Sequence, residues 1–151
     1  LALGRAYVAI GDEDKGFSAL QRATEATPVQ AEAHMLLGDM YRTRGNYAEA
    51  VTAYHVYLKL AGQTATGLER LGDAYLEMGN VSTAAETYLQ LVSLQPDRMV
   101  PIIKAARAYL RTGETHQAQR LCKQGLSVDP GNQTLHNLLD RATSVASLER
   151  P

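Results

Sequence analysis

Along this chain the large apolar, small and polar positions come round in a fixed order. Arg70–Tyr88 reads RLGDAYLEMGNVSTAAETY, and thirty-four residues earlier the chain reads LLGDMYRTRGNYAEAVTAY. A small residue recurs at the same interval as Gly4, Gly38, Gly72 and Ala106. Three residues on come Tyr7, Tyr41, Tyr75 and Tyr109, and four further on Gly11, Gly45, Gly79 and Gly113. A second small position follows (Gly16, Ala50, Ala84, Ala118), then a larger one (Leu20, Tyr54, Tyr88, Cys122). Each unit closes near Pro28, Gly62, Pro96 or Pro130. A repeat of this length marks a stacked architecture.

Each position answers a physical need. A Gly or Ala lets two helix backbones approach closely. The tyrosine fills the interhelical space with a flat ring and keeps a polar tip. Gly113 and its equivalents follow a helix-length run, where a left-handed C-terminal cap is required. Asp12, Asn46, Asn80 and Glu114 come next and suit the start of a second helix. The closing prolines end that helix. The pattern predicts helix A, a tight turn, helix B and a short loop, with units at 1–30, 31–64, 65–98 and 99–132. In the remaining segment, Leu135, Leu138, Leu139, Ala142 and Val145 fall on one helical stripe. They predict a closing helix over 133–148.

Four copies in one register resemble the tetratricopeptide repeat family over residues 1–130. The RNA-binding pentatricopeptide arrays differ in period and pattern. The resemblance implies an all-α fold: a right-handed superhelical solenoid of four helix-turn-helix units, the first truncated, with a C-terminal capping helix, all in one domain, 1–151. One helical hairpin cannot bury its own apolar face, and stacking near-copies supplies the core. There are departures. Tyr57 and Gly125 fill a slot that is usually Ala, and Gly62 replaces a loop proline, so the junction AGQTATG is expected to be softer.

Bulk properties narrow the role. The net charge is −1, so no bulk field draws the chain to nucleic acid or anionic lipid. No apolar run approaches the roughly 20 residues of a membrane span. The one cysteine, Cys122, allows no internal disulfide; it fits a reducing compartment, and a cytoplasmic location is favoured. The start, LALGRAY, carries neither Met nor a signal pattern, so a fragment of a longer protein is expected. Residues 1–98 hold 8 Lys/Arg against 12 Asp/Glu and residues 99–151 hold 7 against 4, a dipolar distribution that permits self-association.

Candidate chemistry is sparse. His34, His55, His116 and His136 form no paired-ligand spacing, and a packing role is expected for His34 and His136. Cys122 occupies a core slot and reads as a small buried hydrophobe. GDEDKG at 11–16 lacks a calcium loop's twelfth-position acid, where Ala23 stands, so its acids read as helix-start charges. Phosphate-loop, dinucleotide and nucleophile-elbow motifs are missing. Neither an enzymatic activity, a cofactor nor a metal is expected.

The resemblance implies that helix A lines a concave groove in which partners lie. By register that face holds Leu1, Arg5, Val8 and Ala9; then Glu32, Met35, Asp39, Arg42 and Thr43; then Thr66, Glu69, Asp73, Leu76 and Glu77; then Val100, Ile103, Arg107, Leu110 and Arg111; and finally Asn137 and Arg141. Glu69, Asp73 and Glu77 form an acidic stripe, and Lys104, Arg107 and Arg111 a basic one. An apolar floor with a charge step suits a protein or peptide segment, with acidic residues facing Arg107 and Arg111. The same charges could pair across adjacent helices instead, Asp73 with Arg107 and Glu77 with Arg111. The family's two-carboxylate clamp is not matched, since its slots hold Leu1 and Arg5, Leu36, and Val100 and Lys104. The expected function is a protein-protein interaction scaffold. The alternatives are a self-assembly module, or the docking domain of an enzyme whose catalytic part lies outside this segment.

Overall fold

The chain's structure is a computed structural model that describes residues 1–26 and 30–148. Pro28, expected to close the first unit, lies outside the described residues. Among those described there are nine α-helices and no strand. The chain divides into two compact units, Leu1–Met78 and Gly79–Pro151. The first holds α1 (Ala2–Ala9), α2 (Glu13–Thr24), α3 (Ala31–Thr43), α4 (Tyr47–Ala61) and α5 (Ala65–Glu77). The second holds α6 (Val81–Leu94), α7 (Met99–Thr112), α8 (Thr115–Val128) and α9 (Gln133–Leu148).

The turns form where the register places them. Gly11, Gly45, Gly79 and Gly113 all have positive φ, and Gly113 closes α7 in the left-handed conformation at φ 82°. A β-carbon there would strain the backbone. The following position starts the next helix in every copy, by two means. Asp12 and Asn80 accept a hydrogen bond from the backbone N–H three residues on, whereas Asn46 and Glu114 make no such side-chain cap. Pro101 sits buried in the first turn of α7, where a missing N–H costs nothing.

In the first unit, Leu20, Leu37 and Met40 make a core that Leu1, Phe17, Leu36 and Tyr41 flank. Phe17 and Tyr41 meet edge to face at 5.1 Å. Gly38 sits so close to Tyr54 that an added Cβ would lie 2.6 Å from the ring. The unusual Tyr57 has a matching cut-out. A Cβ at Gly67 would lie 2.7 Å from its ring, so the helix opposite gives up a side chain to admit it. Two hydrogen bonds tie the end of the junction where α5 starts. The Thr64 hydroxyl accepts from the Gly67 N–H at 3.2 Å and donates to the Tyr57 hydroxyl at 3.2 Å.

In the second unit, Tyr88, Leu91, Ile102, Leu121 and Cys122 are fully buried. The closing helix α9 packs through Leu135, Leu138 and Ala142, while Val145 on the expected stripe is exposed. Gly125 makes room for Leu135, whose Cδ1 would stand 2.4 Å from a Cβ added there. At both departures from the usual Ala a glycine stands against a large side chain, Gly67 against Leu58 and Tyr57 and Gly125 against Leu135.

Candidate functional site

The odd-numbered helices carry the residues expected to meet a partner, and each unit holds its own set. In the first unit these are Arg5 on α1, Met35, Asp39 and Arg42 on α3, and Glu69, Asp73 and Glu77 on α5. The helices α1, α3 and α5 lie along one face and are laced by charge. Arg5 pairs with Glu32 at 3.1 Å, Arg70 with Asp39, and Arg42 with Glu77 at 3.3 Å. Glu77 is therefore engaged by the preceding A helix. Burial works against the Arg42 charge, but Glu77, then Tyr54, Asp73 and Asp39 outweigh it and raise its pKa.

Asp39 is the best-anchored of these groups. The buried Tyr54 hydroxyl donates to its Oδ1 at 2.7 Å, and Arg70 binds the same oxygen. Burial, then this bond to Asp39, raises the Tyr54 pKa.

Between α1 and α3 lies a hollow of about 210 Å³. Val8, Leu36 and Met40 form its apolar part, Asp39, Glu13 and Thr43 its polar edge, and the Gly11 backbone one wall. Val8, Asp39 and Thr43, assigned to the groove face by register, line this hollow, together with Leu36, Met40, Gly11 and Glu13, which the register does not assign to it. Met35 is half-buried on α3 and does not line the hollow. Glu13 belongs to helix B, so counting along helix A could not find it. Leu36 and Met40 are one helical turn apart, a pair that sequence spacing could have flagged.

In the second unit, Ile103 and Lys104 are half-buried on α7, while Arg107 and Arg111 are exposed there. The Lys104 ammonium stands 5.6 Å from the Tyr88 ring centroid, a cation–π distance. Arg141 is exposed on α9.

Several of the candidate chemical groups are engaged within the fold. Burial alone pushes the Cys122 thiol up to about 11, which removes the thiolate a nucleophile needs. His34 is half-buried, and desolvation lowers its pKa. His136 differs from the packing role expected for it: it is exposed, and its Nε2 donates to the Pro130 carbonyl at 2.8 Å. His55 joins Tyr75 by a hydrogen bond of 2.8 Å. Two of the three acids of GDEDKG serve the fold. Asp12 caps α2 and bonds Lys15, which holds its carboxyl below the usual range, and Asp14 pairs with Arg44 at 2.8 Å. No group of three His, Cys, Asp or Glu that could hold a metal ion occurs among the described residues, and none of the described helices is long and apolar enough to cross a membrane.

Three family profiles, each described as tetratricopeptide repeat, match residues 1–67, 65–98 and 102–134. No curated protein sequence matches the chain. Among solved structures, MamA aligns with a TM-score of 0.76 at 21% identity, covering 96% of this chain and 91% of MamA. A tetratricopeptide repeat protein from Parabacteroides merdae aligns with a TM-score of 0.82 at 20% identity, over 96% of this chain and 58% of that one. The first such domain of Spaghetti (RPAP3), bound to the HSP90 peptide SRMEEVD, aligns with a TM-score of 0.65 at 17% identity, over 78% and 93%. These likenesses establish the solenoid fold.

Proposed function

This chain belongs to the tetratricopeptide repeat family, and we propose that it recognises segments of partner proteins on its A-helix faces, reversibly and without making or breaking bonds. The observation that carries the reading is the hollow between α1 and α3. It is an apolar recess, ringed by polar groups, on a face whose helices are laced together by ion pairs. Such a face is held in shape before a partner arrives, which lowers the cost of binding. The Spaghetti (RPAP3) domain holds a peptide, which supports peptide recognition as a use of this fold. Apolar Leu1 and Leu36 stand at two slots where a carboxylate clamp needs polar donors, which argues against an acidic tail of that kind as the ligand here.

In the second unit, α7 offers Arg107 and Arg111 beside half-buried Ile103 and Leu110. This combination suits a segment with acidic and apolar residues. The double substitution Arg107→Glu/Arg111→Glu is expected to weaken binding of acidic, leucine-containing peptides about tenfold, from two exposed charge contacts of about 0.7 kcal/mol each. Helix content by circular dichroism should not change. Unchanged peptide affinity would remove α7 from the recognition surface.

A further inference from the structure

We infer that the hollow between α1 and α3 takes a partner segment presenting one bulky apolar side chain next to a lysine or arginine. The inference rests on the reading of the A-helix faces as recognition surfaces and names the ligand chemistry of the first unit.

Size argues for a side chain. Ligand pockets for free small molecules run to roughly 300–1,000 Å³, and this hollow has about 210 Å³. A cavity of about 150 Å³ already admits a benzene-sized guest. One leucine or phenylalanine side chain fits, with its peptide lying across the open face. Val8, Leu36 and Met40 supply the apolar contact. The wall is open at Gly11, where an added Cβ would meet nothing within 4 Å.

Charge argues for a basic neighbour. The first unit holds 7 Lys/Arg against 10 Asp/Glu. Five of its cations are already committed to carboxylates: Arg5 to Glu32, Lys15 to Asp12, Arg42 to Glu77, Arg44 to Asp14 and Arg70 to Asp39. Both carboxylates at the edge of the hollow keep acceptor capacity. Glu13 is exposed and makes no ion pair among the described residues. Asp39 uses Oδ1 for Tyr54 and Arg70, which fixes the group while Oδ2 accepts no hydrogen bond among the described residues. A carboxylate oxygen accepts a charge-assisted bond from an incoming guanidinium or ammonium without having to reorient.

The test is fluorescence anisotropy of the full chain with two labelled nine-residue peptides, each with a central leucine, flanked by arginines in one and by glutamates in the other. The arginine peptide should bind, lose affinity about fivefold with Glu13→Lys and with Thr43→Lys, and lose it when its leucine becomes serine. Glu86→Lys, on exposed α6 surface, should leave its affinity unchanged. An arginine peptide indifferent to Glu13→Lys and Thr43→Lys, or a glutamate peptide that competes with it and keeps its affinity with Arg107→Glu/Arg111→Glu, overturns the inference. Should only the glutamate peptide bind, and be lost with Arg107→Glu/Arg111→Glu, this inference falls while the proposed function stands. Should neither bind, both fall.

Discussion

Tyr54→Ala is expected to destabilise the first unit by about 3–5 kcal/mol, the range for removing a large buried aromatic ring. The ring is fully buried, and the chain has shaped itself around it at Gly38, whose missing side chain leaves the ring in backbone contact. No neighbour can fill the void, because the contact opposite is a helix backbone. The loss compares with the whole stability of a typical domain, about 5–15 kcal/mol. It should lower the urea midpoint and speed amide exchange first in α3 and α4. Tyr54→Phe separates the ring from its hydroxyl. It keeps the packing, removes the donor to Asp39 and should cost about 1.5–3 kcal/mol, the range for hydrogen bonds to charged groups. Equal losses for Ala and Phe would show that the hydroxyl, and not the packing against Gly38, holds this hairpin.

The second large effect concerns the closing helix. Leu135→Ala should cost about 2–5 kcal/mol and release α9, since Leu135 is its fully buried anchor. Gly125→Ala should cost about 1–3 kcal/mol through overpacking, less the roughly 1 kcal/mol that Ala gains over Gly in a helix. The added Cβ would stand 2.4 Å from Leu135 Cδ1 and 3.2 Å from Ile102 Cγ2. The two changes touch the same space, so the double variant should be less destabilised than their sum. Amide exchange of α9 together with urea unfolding reads both effects. Strict additivity would mean that Gly125 and Leu135 do not share the space that the structure gives them.

Much of the fold was legible because the repeat writes its local rules into single residues. A glycine must stand where φ is positive, as at Gly113, and a small residue where a ring presses on a helix, as at Gly38. Both requirements act over a few residues or one hairpin, so the register alone locates the helices. The departures were visible as departures, but not their compensation. Tyr57 stands out in sequence, whereas its partner Gly67 is recognised only once the two helices are packed.

The candidate site was less legible for the same reason. The ion pairs Arg5–Glu32, Arg42–Glu77 and Arg44–Asp14 join different helices, so the angle at which those helices lie decides them. Sequence register pairs Glu77 with Arg111, while Arg42 sits one residue off the equivalent slot of the preceding repeat. Packing gives it to Arg42. Glu13 enters the hollow from the first turn of α2, a position that no periodicity of the A helices describes. His136 shares a slot with His34 but turns to a backbone carbonyl of its own loop, a choice set by Pro130 rather than by the repeat.

The central claim is that the A-helix face of the first unit is a recognition surface, and backbone amide chemical shifts test it most directly. The labelled full chain is titrated with the arginine-flanked leucine peptide. The largest shifts are predicted at Val8, Gly11, Glu13, Leu36 and Met40, with α2 beyond its first turn and α4 nearly still. Shifts concentrated instead on the exposed faces of α2 and α4, with the hollow unmoved at saturating peptide, would contradict the account.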